Sequence, residues 1–121
     1  MFHKVEISSR EQILMIYIFL AAIILAVFWQ VNQYGFVILD DVFYVTDNSQ
    51  VQSGMTWQGI VWAFSTVPVS HIGFWHPLTW LSLMLDYQLF GMNAGGYHMT
   101  NIILHILSTL LLFWLFHRMT G

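Results

Sequence analysis

The neighbouring carboxylates Asp40 and Asp41 are the side chains of this sequence that most clearly suggest chemistry. They lie in the apolar stretch YGFVILDDVFYVTDN, in a chain of which only 7% of the residues are charged. A carboxylate beside an apolar surface can take a proton from an attacking hydroxyl or help hold a divalent cation. Two adjacent residues on a regular strand would point to opposite sides, so joint action requires an irregular backbone. Solvated loop charges and a helix cap remain as alternative interpretations.

The histidines indicate no metal or haem site. His98 and His105 are nearly two turns apart on one predicted helix, so they cannot bind one haem iron from opposite sides. His71 and His76 have no cysteine partner and no compact zinc-ligand spacing. The sequence also contains no Walker loop, dinucleotide-binding glycine pattern, Gly-x-Ser-x-Gly elbow or His-Glu-x-x-His motif, which removes most soluble enzyme classes.

The composition indicates a membrane protein. The chain is 58% hydrophobic and 17% aromatic, far from the usual balance of a soluble domain. Residues 13–29 contain no charge, proline or glycine. With their flanks they approach the roughly 20 residues that cross ~30 Å of hydrocarbon. We therefore predict a first transmembrane helix over residues 13–31.

A second transmembrane helix is predicted over residues 97–116. Polar groups inside a span usually face protein, because hydrocarbon offers them no hydrogen bond. The polar residues of this helix fall mostly on one face, which favours packing against another helix. They are His98, Asn101, His105, Ser108 and Thr109.

The positive-inside rule gives an orientation, because Lys4 and Arg10 precede the first span and Arg118 follows the second. It places residues 1–12 and 117–121 in the cytoplasm. We further expect the chain to lie in a bacterial inner membrane. A cleaved signal peptide is the competing interpretation, but no small-x-small cleavage pattern follows the apolar run.

Residues 32–96 then form an external loop, which is too long for a simple hairpin connection. Its formal charges are all negative, which excludes nucleic acid as a partner and disfavours electrostatic docking to anionic lipid. They are Asp40, Asp41, Asp47 and Asp86.

Two short helices are predicted in the loop, near 56–66 and 77–90. In the first, Thr56 caps the helix, and the spacing predicts a buried face. That face consists of Trp57, Ile60, Val61 and Phe64.

In the second helix, Pro77 suits the first turn and Gly91 the end. A leucine side runs through Leu78, Leu81, Leu85 and Leu89.

The tryptophans of these segments favour helices that lie along the outer membrane surface, since indole rings prefer the headgroup level. They are Trp57, Trp62, Trp75 and Trp80. The alternative is a small soluble ectodomain. The predicted fold is an all-α membrane protein with two transmembrane helices and an external loop carrying two short amphipathic interfacial helices.

Two segments together, LDDVFYVTDNSQVQSGMTWQGIVWAF and WHPLTWLSLMLDYQLFGMNAGGYHMTNIILH, resemble the N-terminal part of GT-C glycosyltransferases. The similarity is to members that combine such a membrane domain with tetratricopeptide repeats, including transmembrane O-mannosyltransferases. The resemblance implies transfer of a sugar from a polyprenyl-phosphate carrier to an acceptor hydroxyl, with membrane lipid as a further partner.

The resemblance also implies roles for individual residues. Asp40 would be the catalytic carboxylate, with Asp41 supporting it or a metal. His76 stands before a Pro-Leu-Thr block where eukaryotic relatives often have arginine, and it would contact the carrier phosphate only as a protonated group or a neutral donor. His98 and Asn101, from a Gly-Tyr-His-x-x-Asn block, would help line the site.

GT-C enzymes have many spans, so we expect this chain to be inactive alone. The remaining spans would come from the same enzyme or from a partner membrane protein. The alternative function is a noncatalytic two-span membrane protein that serves as a structural or partner-binding subunit. The sequence identifies neither the sugar nor a cofactor, and a divalent cation stays open.

Overall fold

The structure is a computed structural model that describes residues 9–65 and 73–120. Within those ranges the regular elements are helices and no strand is present, which confirms the predicted all-α class. The chain divides into two compact units: residues 1–30 with 101–121, here called the helix-pair unit, and residues 31–100, here called the loop unit. Lys4 and His71 lie outside the described residues.

The helices of the described residues differ greatly in length. In chain order the α-helices are α1 Ser9–Phe28, α2 Ser49–Gln52, α3 Trp57–Phe64, α4 Pro77–Phe90 and α5 Ala94–Thr120. A 3-10 turn, Trp29–Gln33, continues α1, and a π-helix, Val42–Thr46, precedes α2.

The segments Ser9–Gln33 and Ala94–Thr120 are both long and apolar enough to span a membrane, with mean hydropathies of 2.5 and 1.9. They contain the predicted spans 13–31 and 97–116. Few of their residues are buried within the chain, as expected for helices that face lipid. The structure therefore confirms two candidate membrane-spanning helices.

Aromatic contacts join the two helices of the helix-pair unit. The rings of Tyr17 and Phe113 meet edge to face at 5.0 Å, and those of Phe28 and His105 at 5.6 Å. At the end of α5 the Arg118 guanidinium lies 5.9 Å from the centre of a tryptophan ring on the same helix. The predicted helix-to-helix role is therefore seen for His105.

Ser108 and Thr109 form their hydrogen bonds within α5. Their hydroxyls donate to the carbonyls of Leu104 at 2.8 Å and His105 at 2.9 Å, one turn back on the same helix. A short hydroxyl chain can satisfy itself on its own helix backbone in this way, so no partner helix is needed.

The loop unit packs around α4. Its buried cluster joins α2, α3 and α4 through Val51, Ala63, Trp80 and Met84. Side chains of the π-helix, α3 and α4 pack around this cluster, and Tyr44 and Trp62 are among them. Trp80 is fully buried, so the prediction that it lies at the membrane surface is wrong: its ring forms the centre of the core instead.

Local capping sets the helix ends. The Thr56 hydroxyl accepts the Gly59 N–H at 3.0 Å, and the Asn48 side chain accepts N–H groups at the start of α2. Pro77 occupies the first turn of α4, and Gly91 ends it with φ of 59°. The predicted cap, first-turn proline and stop are confirmed, because each is a property of a few adjacent residues.

The predicted buried face of α3 is wrong. Gly59 and Ala63 are its buried residues, whereas Trp57, Val61 and Phe64 are 74%, 55% and 51% exposed. A Cβ on Gly59 would stand 3.0 Å from the Met84 Sδ and 3.1 Å from the Thr56 hydroxyl oxygen. The helices approach so closely that only small side chains fit, and the large apolar ones face outward.

The same contacts decide which side of α4 is buried. Trp80, Met84 and Asp86 are buried, while Leu78, Leu85 and Leu89 are 74%, 45% and 64% exposed. Most of the leucine side is therefore left out of the core of the loop unit. Its contact with a membrane surface remains a prediction.

Candidate functional site

The acidic pair lies where the backbone becomes irregular. Asp40 and Asp41 begin a helical turn that passes directly into the π-helix Val42–Thr46. The Asp47 N–H donates to the Val42 carbonyl at 2.9 Å, a bond across five residues. Single turns of π-helix are rare and often occur at functional sites. The irregular backbone that joint action requires is present.

Asp41 stabilises the bend that precedes this turn. Its Oδ2 accepts the Val37 N–H at 2.7 Å, and the Leu39 N–H donates to the Val37 carbonyl at 2.8 Å. Although Asp41 immediately precedes the π-helix, its side chain makes no cap hydrogen bond to that helix. The carboxylate therefore positions the chain that leads to Asp40 and does not cap the π-helix.

Asp40 is exposed, and no side-chain hydrogen bond from the described part of the chain engages it. One turn further on, Tyr44 is affected by its charge. Burial, and secondarily the negative charge of Asp40, raise the pKa of the Tyr44 phenol. The phenol therefore stays protonated and able to donate a hydrogen bond near the carboxylate.

Three rings form a cluster beside this carboxylate, here called the ring cluster: Tyr44, His76 and Trp80. Tyr44 lies 4.9 Å from Trp80 at 16° and 5.5 Å from His76 at 27°, and His76 lies 5.2 Å from Trp80 at 22°. Trp62 meets Trp80 edge to face at 5.0 Å. Stacked aromatic pairs contribute about 0.5–1.5 kcal/mol each beyond their burial. The cluster connects the π-helix rigidly to the start of α4.

His76 connects the ring cluster to the helix start. Its carbonyl accepts the N–H groups of Thr79 and Trp80 at 3.1 and 3.4 Å, but its side chain makes no cap hydrogen bond. The His76 Nε2 and the Trp80 Nε1 are buried without a hydrogen-bond partner among the described residues. Buried polar groups in this state cost free energy unless a water or ligand meets them.

An apolar groove of about 430 Å³ adjoins His76. Its described lining comes from the end of α3 and the start of α4, and among these described residues His76 is the one with a titratable side chain. The lining residues are Phe64, Trp75, His76, Pro77, Leu78 and Thr79. An apolar chain fits such a surface, with its polar end at His76.

Asp86 is a second acidic position, deeper in the loop unit. It is 5% exposed, and the Thr100 hydroxyl donates to its Oδ1 at 2.6 Å. Burial raises the pKa of the Asp86 carboxyl, and the hydrogen bond from Thr100 offsets part of that shift. Nothing in the spacing alone predicts this pair, although a carboxylate within an apolar helix of so uncharged a chain is a usable indication.

The structure brings together some of the predicted site residues. Asp40 and Asp41 directly precede the π-helix, and Tyr44 of that helix stacks on His76 at 5.5 Å. His98 lies at the start of α5 in the loop unit, and its Nε2 is buried without a partner. Asn101 is exposed and belongs to the helix-pair unit. Tyr44 and Trp80 were not predicted as site residues.

The donor set does not by itself make a metal centre. Within residues 9–65 and 73–120, no three histidine or carboxylate side chains come together as metal ligands. Asp41 is already engaged with a backbone N–H. A divalent cation beside Asp40 would need further ligands from outside the described residues.

The chain is similar to one curated protein over part of its length. It is 40% identical over 52 residues to the protein O-mannosyl-transferase Tmtc1 of Drosophila melanogaster, a match that covers 43% of this chain and 6% of that protein. The matched stretch is therefore a small part of the relative's length. No protein-family model matches the chain, and no solved structure matches it significantly. The relative is an animal protein, so it gives no support to the predicted bacterial origin.

Proposed function

We propose that this chain is the N-terminal segment of a membrane glycosyltransferase that moves a sugar from a polyprenyl-phosphate carrier to an acceptor hydroxyl. The observation that carries the proposal is the 40% identity over 52 residues to a protein named as an O-mannosyl-transferase. Two helices apolar enough to span a membrane suit an enzyme whose donor is a lipid. The remaining spans come from the same enzyme or a partner, and this segment alone is inactive.

Asp40 is the proposed base. It is exposed, follows the first span closely and carries no competing hydrogen bond from the described residues. Its carboxylate accepts the proton of the acceptor hydroxyl as the hydroxyl oxygen forms a bond to the anomeric carbon of the sugar. The bond from that carbon to the carrier phosphate breaks, and the phosphate leaves with the electron pair. Asp41 positions Asp40 through its bond to Val37.

The donor lies, in this proposal, along the groove at the start of α4. The isoprenoid chain contacts apolar side chains such as Phe64 and Leu78. The Nε2 of His76, buried without a partner, is the group of this groove that can meet the carrier phosphate. His98, on the part of α5 that belongs to the loop unit, contributes to the remainder of the site.

The proposal is tested by sugar transfer in membranes that contain this chain with the other spans of the enzyme. Asp40→Asn keeps the shape of the side chain and removes its charge. It should lower the rate about a hundredfold to ten-thousandfold, the usual effect of losing a general base, without impairing insertion. Asp41→Asn should lower it less, because an amide oxygen can still accept the Val37 N–H.

Asp47→Asn is the matched control, since Asp47 is an exposed aspartate just beyond the π-helix that follows the pair. If all three variants insert normally and transfer sugar at the parent rate, the pair is a solvated feature. The noncatalytic two-span function then takes precedence. Loss of transfer with Asp41→Asn alone would show that the other member of the pair is the base.

A further inference from the structure

Tyr44 lies on the same side of the chain as Asp40, one helical turn further on. Asp40 begins the helical turn that passes directly into the π-helix, and Tyr44 belongs to that π-helix. Residues four apart along a helix are neighbours on its surface. After burial, the negative charge of Asp40 is the second cause of the raised pKa of the Tyr44 phenol. The phenol and the carboxylate therefore belong to one site.

The ring of Tyr44 is held in place while its hydroxyl is left to bind. The ring stacks on Trp80 at 4.9 Å and on His76 at 5.5 Å, and it packs against the buried cluster of the loop unit. The hydroxyl donates no hydrogen bond to the described residues. A donor that is already fixed in position needs no reorganisation when negative charge develops beside it.

The proposed reaction creates such a charge. A carrier phosphate linked to the sugar bears one negative charge, and it bears a second once its bond to the anomeric carbon has broken. Residues 31–100 contain no lysine or arginine, so the loop unit has no permanently positive side chain to meet the leaving group. A neutral phenol can meet it without neutralising the nearby carboxylate of Asp40.

We propose that Tyr44 is a further catalytic residue of this sugar transfer, and that its phenol donates a hydrogen bond to an oxygen of the carrier phosphate as the bond to the sugar breaks. The inference rests on the proposed function. The phenol keeps its own proton throughout. The proton of the acceptor hydroxyl goes to Asp40, and the phosphate leaves with the electron pair. His76, on which Tyr44 stacks, lines the groove that holds the carrier.

Tyr44→Phe tests the inference, because it removes the hydroxyl and keeps the stacked ring. The complete enzyme in membranes is given polyprenyl-phosphate-linked mannose over a range of concentrations. The variant should lower kcat about tenfold to a hundredfold, the usual effect of losing a hydrogen bond to a charged group. The value of kcat/KM should fall by the same factor, because the hydrogen bond strengthens only as the second negative charge forms.

Tyr87→Phe is the matched control. Tyr87 packs against the same buried cluster, but it lies outside the ring cluster. Its replacement should leave sugar transfer at the parent rate. A loss of transfer in Tyr87→Phe as large as that in Tyr44→Phe would show an effect on the core of the loop unit and would overturn the inference.

A modified donor identifies the atom that Tyr44 contacts. Sulfur replaces one non-bridging oxygen of the carrier phosphate, in each configuration at phosphorus, and it accepts a hydrogen bond more weakly than oxygen does. In one configuration the sulfur should slow the parent several-fold more than it slows Tyr44→Phe, since the variant has no phenol bond left to weaken. This ratio is taken within each enzyme, so it does not depend on how much of the variant is folded.

The outcomes separate this inference from the proposed function. A parent that uses the lipid-linked donor, with Tyr44→Phe transferring sugar at the same rate, would overturn the role of Tyr44 and leave the proposed function standing. A sulfur effect equal in the parent and in Tyr44→Phe would do the same. A parent that takes no sugar from the lipid-linked donor would refute the proposed function, and the role of Tyr44 with it.

Discussion

Asp86 is a carboxyl group in the core of the loop unit, and the Thr100 hydroxyl donates to its Oδ1 at 2.6 Å. Burial raises its pKa, so the folded state keeps the proton to a higher pH than the unfolded state does. Its contribution to stability is therefore full below the ordinary carboxyl pKa of about 4. That contribution is lost as the pH rises through the raised folded-state pKa.

The variant Asp86→Asn tests the predicted direction of this pH dependence of stability. An amide mimics the protonated carboxyl and still accepts the hydrogen bond from Thr100, so the variant should be more stable than the parent at pH 7. The parent should gain stability relative to the variant as the pH falls from 7 toward about 4. Thermal unfolding in detergent, followed by tryptophan emission, measures both the stability difference at pH 7 and its change as the pH falls.

Asp47→Asn serves as the control for Asp86→Asn, because Asp47 is exposed and its replacement should leave the pH dependence of the parent unchanged. A stability difference between Asp86→Asn and the parent that does not change with pH would contradict the assignment.

The elements of the loop unit fit together through the contact of α3 with α4. A Cβ placed on Gly59 would lie 3.0 Å from the Met84 Sδ. Met84 and Trp80 are fully buried. The close approach of the two helices leaves the larger side chains of α3 outside. This one contact therefore defines both the core of the unit and the outward face of α3.

Gly59→Leu should separate the two helices. Forcing a large side chain into a well-packed contact lowers the free energy of unfolding by about 1–3 kcal/mol. Gln58→Leu, at an exposed position of the same helix, should change it by no more than about 0.5 kcal/mol. Denaturant unfolding in detergent gives both values, and equal values would show that α3 does not pack on α4 through Gly59.

Helix limits were predictable from the sequence wherever adjacent residues decide them, as at Thr56, Pro77 and Gly91. The buried face of α3 was not predictable in this way. Apolar periodicity shows which residues share a face, but it does not show whether the gap to the partner helix is wide enough to hold the side chains of Trp57 and Phe64. The same holds for the site. Asp40 and Asp41 are visible in the sequence, but the contact of Tyr44 with His76 requires the fold, since more than thirty residues separate them.

For the whole molecule, the proposed orientation rests on charge. Lys4, Arg10 and Arg118 flank the spans, and residues between the spans contain no lysine or arginine. The positive-inside rule then places the loop unit on the outer side of the membrane. In the proposed function, the enzyme binds the lipid-linked sugar on that side.

Single cysteines at Ser53 and Thr120 test the orientation, since both positions are exposed and the chain has no other cysteine. An impermeant thiol reagent should label Ser53→Cys in intact cells and Thr120→Cys only after permeabilisation. The reverse pattern would invert the topology. Labelling of both in intact cells would contradict the two-span arrangement.

The most direct test of the central claim concerns the donor. Membranes that contain the complete enzyme are given either a polyprenyl-phosphate-linked mannose or a nucleotide-linked mannose, and transfer of label to acceptor hydroxyls is measured. We predict transfer from the lipid-linked donor, none from the nucleotide-linked donor when carrier synthesis is blocked, and loss of transfer in Asp40→Asn. Transfer directly from the nucleotide-linked sugar, or lipid-linked transfer that proceeds unchanged in Asp40→Asn, would contradict the proposed function.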